Sequence, residues 1–216
     1  MGTKRTSRSR AWVARQEKDP YVRKARASAY RSRAVYKLEQ LHQKDRLFRR
    51  GMVVVDLGAA PGSWSQYAAV KVGSEGVIIA VDRLSFQPIA GVIQIQGDFM
   101  HAPVLEVLDK ALDGREPDLV ISDLAPNLTG VHSVDQAATE DLVVAAGRFA
   151  ASRLGPKGAF VAKFFEGSQA ASVRSEIGDL FQRSQVRKPS ASRASSAEVY
   201  LVARNPVGGG VSVTDR

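Results

Sequence analysis

Cysteine is absent from the 216 residues. That excludes disulfides, thiolate zinc sites and cysteine nucleophiles together, and it fits a reducing, cytoplasmic setting. Long apolar runs are missing too. No stretch approaches the ~20 residues that a membrane helix needs, so no membrane span is expected. Two phosphate-binding signatures are also lacking, the dinucleotide fingerprint G-x-G-x-x-G and the P-loop G-x-x-x-x-G-K-[ST]. The three histidines, His42, His101 and His132, are scattered without metal-ligand spacing, and no metal is expected. Acidic residues are the scarcer charge, 22 against 31 Lys and Arg, which leaves a net charge of +9.

What remains is a chain with 44% apolar residues, enough for a sizeable core in one domain of this length. Its charge is uneven. Residues 1–33 hold 11 Lys and Arg against two acids, residues 34–173 hold 13 against 16, and residues 174–216 hold 7 against 4. A mildly acidic globule therefore carries basic ends. A terminal block of like charge suits an arm that grips nucleic-acid phosphates. A solubilising tail is the bland alternative. For the Arg- and Ser-rich residues 1–16, an organellar transit peptide is another. No apolar run follows the early positive charges, so a secretory signal is not expected.

From residue 51 onward apolar runs and turn signals alternate in a βα rhythm. Strands are predicted at Met52–Leu57, Val77–Val81, Val92–Gln96, Asp118–Ser122, Gly158–Phe165, Ser184–Lys188 and Val199–Ala203. Helices are predicted at Ala34–Leu47, Ser63–Val72 and Ser133–Leu154, the last stopped by Gly155. Strands separated by helices imply an α/β fold, a mainly parallel sheet of seven strands with helices on both faces. In such sheets ligands sit beyond the carboxyl ends of the strands. The expected division is a basic arm over 1–33, the domain over 34–204 and a flexible tail over 205–216.

The first strand runs into Asp56-Leu57-Gly58-Ala59-Ala60-Pro61-Gly62-Ser63-Trp64-Ser65. Gly58 and Gly62 let the backbone turn tightly and approach a ligand closely. Pro61 removes an N–H donor that a diphosphate would want. A nucleoside without phosphates is the better fit. Asp82 lies 24 residues after Gly58, where a carboxylate accepts ribose hydroxyls. Asp98, after the third strand, is placed for an adenine amino group, and Asp56 for an ammonium. Each acid alone reads as a loop or cap residue. Three at successive strand ends beside a Gly-rich turn look like an S-adenosylmethionine site.

Four further polar residues stand among apolar neighbours: Lys37 on the first helix, Asp123 after the fourth strand, Lys163 inside Phe160-Val161-Ala162-Lys163-Phe164-Phe165, and Glu198 at the start of the last strand. A lysine in a central strand is costly to bury unless paired or near the strand end. A plain Lys163–Asp123 salt bridge is one explanation.

The stretches DLGAAPGSWSQ, SDLAPN, FVAKFFEG and RKPSASRASSAEVYLVA, with the opening RSRAVYKLEQL, resemble the FtsJ (RrmJ, RlmE) family of ribosomal-RNA uridine ribose 2′-O-methyltransferases. The match runs in order over about residues 4–204. One departure is Gly62-Ser63, where the bacterial pattern has two glycines. The resemblance implies a Rossmann-like methyltransferase domain and S-adenosylmethionine as cofactor. It implies cofactor contacts from Asp56, Gly58, Gly62, Trp64, Asp82, Asp98 and Asp123. The catalytic tetrad it implies is Lys37, Asp123, Lys163 and Glu198. It also implies a uridine in the A-loop of the large-subunit RNA, met within the assembled ribosomal subunit.

The chemistry asks for such groups. A ribose hydroxyl does not ionise at neutral pH, so it needs a base. A lysine can serve where burial and nearby cations bring its ordinary pKa of ~10.4 toward ~7–8. Lys163 is expected to take the proton, Asp123 to orient it, and Lys37 and Glu198 to position the ribose. Arg31, Arg33, Arg187, Lys188 and Arg193 flank these residues in sequence and are expected to hold RNA phosphates on the acceptor side. Tyr36 and Tyr200 are further candidates to stack on a base, though Tyr200 in VYLVA reads more readily as core. Asn127, where base-methylating loops carry an aromatic ring, argues against base methylation. A non-catalytic RNA-binding assembly factor is the competing function. A nicotinamide-dependent oxidoreductase is opposed by the missing fingerprint and by Pro61. A monomer is expected.

Overall fold

A computed structural model describes residues 19–126, 132–167, 170–193 and 196–208, and for 132–136 the backbone alone. Seven strands, β1 (Val53–Leu57), β2 (Val77–Asp82), β3 (Val92–Gln96), β4 (Leu119–Ser122), β5 (Ala159–Phe165), β6 (Phe181–Arg187) and β7 (Glu198–Pro206), form one sheet in the order β3-β2-β1-β4-β5-β7-β6. The pairs among β1 to β5 are parallel, while β7 runs antiparallel to both β5 and β6. The described helices are α1 (Pro20–Ala27), α2 (Val35–Asp45), α3 (Ser63–Val72), α4 (Ala102–Leu112), α5 (His132–Arg153) and α6 (Ala170–Leu180).

Strand alternation divides the core in two. Val55 and Leu57, Ile79 and Val81, Val120, and Phe160 and Phe164 point to one face, where Leu108, Phe149 and Ile177 from α4, α5 and α6 cover them. Val54, Ile78, Leu119, Ile121 and Val161 point to the other, under Leu38 and Leu41 of α2 and Trp64 and Tyr67 of α3. Both faces are therefore dry, which is why the central strands read as unbroken apolar runs rather than alternating ones. The strand order reverses between β1 and β4, and the crevice beyond their carboxyl ends is the ligand position of such sheets.

Several boundaries differ from those predicted. Helices α1, α4 and α6 lie in segments where no helix was expected. Asp19-Pro20 opens α1 through a side-chain cap, Asp19 Oδ1 accepting from the Tyr21 N–H at 3.0 Å, with Pro20 in the first turn. The boundary at residue 33 falls inside the domain. Ala25 is buried, Tyr21 and Tyr30 pack against the second-face core, and the Tyr21 and Tyr36 rings lie 5.6 Å apart. Strand β6 begins at Phe181 rather than Ser184. Gln182, Arg183, Ser184 and Gln185 are all exposed and polar, as an edge strand tolerates, so hydropathy gives no start signal. Strand β7 reaches Pro206, paired with Phe181, so residues 205 and 206 belong to the sheet and not to the expected tail. Residues 209–216, like 1–18, lie outside the described residues.

Asp19 does two jobs, because its second oxygen pairs with the Arg33 guanidinium. Replacing Asp19 with Ala should cost about 1 kcal/mol for the lost cap and more for the orphaned Arg33. Asp19→Asn, which still caps, should recover only the first part, as urea denaturation of the two variants will measure.

Candidate active site

The turn after β1 is shaped by its glycines. Gly58 has φ +77°, and a Cβ there would stand 2.8 Å from Leu124 Cδ2. Gly62 has φ +101° and opens α3 without a side-chain cap. Beyond the turn lies a cavity of about 370 Å³ lined by Gly58, Ala60, Asp82, Asp98, Phe99 and Asp123, among others. Asp82 braces its wall, accepting from the Ala60 N–H at 2.8 Å through one oxygen and from the Leu84 N–H at 2.7 Å through the other. Each oxygen keeps a second lone pair for a ligand hydroxyl. Asp98 accepts from the Met100 N–H at 3.0 Å. Asp56 lies wholly buried at the end of β1. Its Oδ2 accepts from Ser65 Oγ at 2.6 Å, and its Oδ1 has no partner. Burial pushes this carboxyl up to about 7, against the Ser65 hydrogen bond and with help from the nearby Asp123 and Asp82 charges.

These residues fit S-adenosylmethionine. An unpaired buried carboxylate oxygen asks for a cationic donor such as an ammonium. Three carboxylates and a floor including Val81, Leu84, Phe99 and Met100 suit an uncharged nucleoside, and they repel a diphosphate.

The tetrad is assembled by strand pairing. In the β5–β7 register Lys163 stands opposite Tyr200, and Glu198 lies two residues along on the same face. Lys163 Nζ donates to the Asp123 carbonyl at 2.8 Å and lies 2.9 Å from Asp123 Oδ1. Lys37, from α2, approaches Glu198 Oε2 to 2.7 Å. The Tyr200 hydroxyl donates to Glu198 Oε1 at 3.2 Å, and the Asp123 charge also acts on it. Ser192 Oγ donates to Glu198 Oε1 at 2.8 Å. Burial opposes ionisation of Glu198, but the Lys37 charge and these hydrogen bonds outweigh it and hold the carboxyl below its ordinary value. Burial, with the Asp123 and Glu198 charges, raises the Tyr200 phenol far above its own. A second depression, of about 370 Å³, opens over Arg33, Lys37, Arg193, Ser196 and Glu198. Asp123 faces the first cavity and Lys37 the second, with Lys163 paired to Asp123 and its charge felt by Glu198.

Residues 30–206 match the family of FtsJ-like methyltransferases. The chain belongs to this family. It is 48% identical over 203 residues to the ribosomal RNA large subunit methyltransferase E of Halorhodospira halophila, covering 94% of this chain and 96% of that protein. It is 49% identical over 199 residues to the enzyme of the same name from Azoarcus, covering 92% and 97%. A crystal structure of a ribosomal RNA methyltransferase from Plasmodium falciparum superposes with a TM-score of 0.74 at 28% identity, over 83% of this chain and all of that one.

Within this methyltransferase the other expected site residues divide. The Trp64 side chain does not face the cavity. It is buried in the second-face core, donating its indole N–H to the Ala34 carbonyl at 2.9 Å, so only its backbone, in the first turn of α3, remains for a ligand. Ser63, at the departure from the family pattern, is used: its hydroxyl lies 2.8 Å from that of Ser32. Arg31 does not line the second depression; it reaches over to the turn after β1 and the loop after β2, bonding the Pro61, Gln87 and Pro88 carbonyls. Arg187 is spent on Asp45, which it holds through two nitrogens at 2.9 and 2.7 Å. Arg33 lines the second depression but is tied to Asp19 and to the Ala191 carbonyl. Arg193, half-exposed, stands 3.7 Å from Asp19. Lys188 donates to the Ser196 carbonyl at 3.0 Å from an exposed position. Tyr36 and Tyr200 are both core, with Trp64 5.9 Å from Tyr200. Asn127 lies outside the described residues. Ser65, Ser192 and the Tyr200 hydroxyl were not foreseen. For Tyr200 the signal was there, since two residues along a strand returns to the face of Glu198.

The raised Asp56 carboxyl makes stability pH-dependent. Its ionised form is disfavoured only in the folded protein, so stability falls as pH climbs from about 4 to about 7 and levels off above. Asp56→Asn should flatten that slope. At pH 8 the unliganded variant should be more stable than the parent by on the order of 2–4 kcal/mol, and at pH 4 indistinguishable, by urea titration at each pH.

Proposed function

We propose that the protein methylates the 2′-hydroxyl of a ribose in large-subunit ribosomal RNA, a uridine of the A-loop within the assembled subunit, using S-adenosylmethionine. It does so as a cytoplasmic monomer. One observation carries the reading: two ion pairs, Lys163–Asp123 and Lys37–Glu198, with Tyr200 bonded to Glu198, lie between an acidic cavity and a basic depression. The names of the relatives supply the RNA. Among the described residues no helix is long and apolar enough to cross a membrane.

S-Adenosylmethionine supplies an electrophilic methyl group on a sulfonium. Asp82 and Asp98 would hold its nucleoside hydroxyls and amine, and Asp56 its ammonium. Lys163 Nζ, held by the carboxylate and the carbonyl of Asp123, is the group that takes the ribose proton as the oxygen attacks in line. The O–CH3 bond forms as the S–CH3 bond breaks, and the proton stays on Lys163. Lys37, fixed by Glu198, orients the ribose from the opposite side. Arg33 and Arg193 at the depression, with Lys188 beyond it, hold flanking phosphates. Asp19 contacts both Arg33 and Arg193 at this rim.

Methyl-labelled cofactor incubated with unmethylated large subunits should place label in an alkali-resistant dinucleotide, the mark of a 2′-O-methyl ribose. Lys163→Arg keeps the cation but removes the base. It should lower turnover by ~10²–10⁴-fold while leaving cofactor and subunit binding near the parent values. A parent protein that binds subunits and transfers nothing would favour a non-catalytic assembly factor.

A further inference from the structure

Arg31 stands in the segment that leads from α1 to Lys37, yet its side chain turns away from the acceptor depression. Nη1 donates to the Pro61 carbonyl at 2.9 Å and to the Gln87 carbonyl at 2.6 Å, and Nη2 donates to the Pro88 carbonyl at 2.9 Å. The guanidinium carbon lies 5.8 Å from the centre of the Phe86 ring. Nη1 occupies space that a Cβ on Gly62 would enter, 3.0 Å from its ideal position, so the glycine is required partly by this arginine. The Arg31 backbone N–H donates to Gln66 Oε1 of α3 at 3.0 Å.

Two chain segments meet at this one group. Pro61 belongs to the turn that carries Gly58 and Ala60 into the cavity wall. Gln87 and Pro88 belong to the loop that leaves β2 through Asp82, Arg83 and Leu84, which form another part of that wall. Nearer the sheet the turn is tied to the end of β2, where the Gly58 and Ala59 N–H groups reach the Val81 carbonyl and the Ala60 N–H reaches Asp82; farther out, around Pro61 and Gln87-Pro88, Arg31 supplies the hydrogen bonds. A planar guanidinium with donors fixed in a fork spans three carbonyls at once, and a lysine ammonium cannot reproduce that arrangement.

We propose that Arg31 is a positioning residue for the methyl donor and not an RNA contact. It holds the Gly58–Gly62 turn and the loop after β2 at the separation the cofactor needs. Because the segment carrying it also bears Arg33 and leads into Lys37, the same stretch of chain shapes both sites. This rests on the reading of the acidic cavity as the S-adenosylmethionine site.

The test measures S-adenosylmethionine binding by calorimetry without RNA, and subunit binding over a series of salt concentrations. The full-length parent, Arg31→Ala, Arg31→Lys and Arg193→Ala are compared. Both Arg31 variants should weaken cofactor binding tenfold or more and raise the cofactor KM, with kcat at saturating cofactor within about twofold of the parent. Their subunit affinity and salt slope should match the parent. Arg193→Ala should show the reverse, an unchanged cofactor Kd and a salt slope smaller by about one. The proposal is overturned if Arg31→Lys binds cofactor like the parent, or if Arg31→Ala loses one unit of salt slope with cofactor affinity intact. Arg31→Lys keeps the charge and is the deciding variant should the alanine variant fail to fold. A parent that binds no S-adenosylmethionine would instead remove the reading of the cavity itself.

Discussion

A lysine ammonium inside a sheet covered on both faces needs a counter-charge and hydrogen-bond acceptors, and at Lys163 that need organises the site. The ammonium cannot leave its strand, so Asp123 must come to it, by carboxylate and by carbonyl. The β4–β5 pairing brings the two strand ends together. On the other side the antiparallel β7 places Tyr200 directly across from Lys163 and Glu198 one pleat further on. Glu198 in turn requires Lys37, which docks α2 against the strand end. Each partner is held because leaving it unpaired at that depth would cost several kcal/mol.

The same pairs separate two ligand environments without a wall of apolar side chains. On the Asp123 side the residues are mostly acidic or apolar, with Arg83 the one basic residue among those described, and suit a nucleoside without phosphates. On the Lys37 side they are basic and suit phosphate. An enzyme joining a small cofactor to a polyanion has to keep the anion out of the cofactor cavity, and a carboxylate-lined cavity does so by repulsion. The buried Asp56, held uncharged up to about pH 7 by burial, gains a reason to ionise when a cation arrives.

Net charge proved a poor guide to individual arginines. Of five basic residues expected to meet RNA, Arg31 and Arg187 are bound up in backbone carbonyls and in Asp45, and Arg33 is half committed to Asp19. An arginine has five donors, and a fold with carbonyls exposed at turns uses them as struts. Lys188 and Arg193, on the loop between β6 and β7, keep more of their charge toward solvent.

The sequence by itself determined the parallel strands, because β-branched runs such as Val53–Val55 and Ile78–Ile79 have no other way to bury both faces. It also marked the turn at Gly58–Gly62 and the four polar residues that pair as Lys163–Asp123 and Lys37–Glu198, because acids at strand ends and a lysine in an apolar run break the pattern around them. It did not contain the polar start of β6, the helices α4 and α6, or the fate of each arginine. Those depend on neighbours far along the chain: Phe181 facing Pro206, Arg187 facing Asp45, Arg31 reaching Pro61 and Pro88. Only the tertiary structure decided which charges are paired, because pairing is a matter of distance and a sequence records only order.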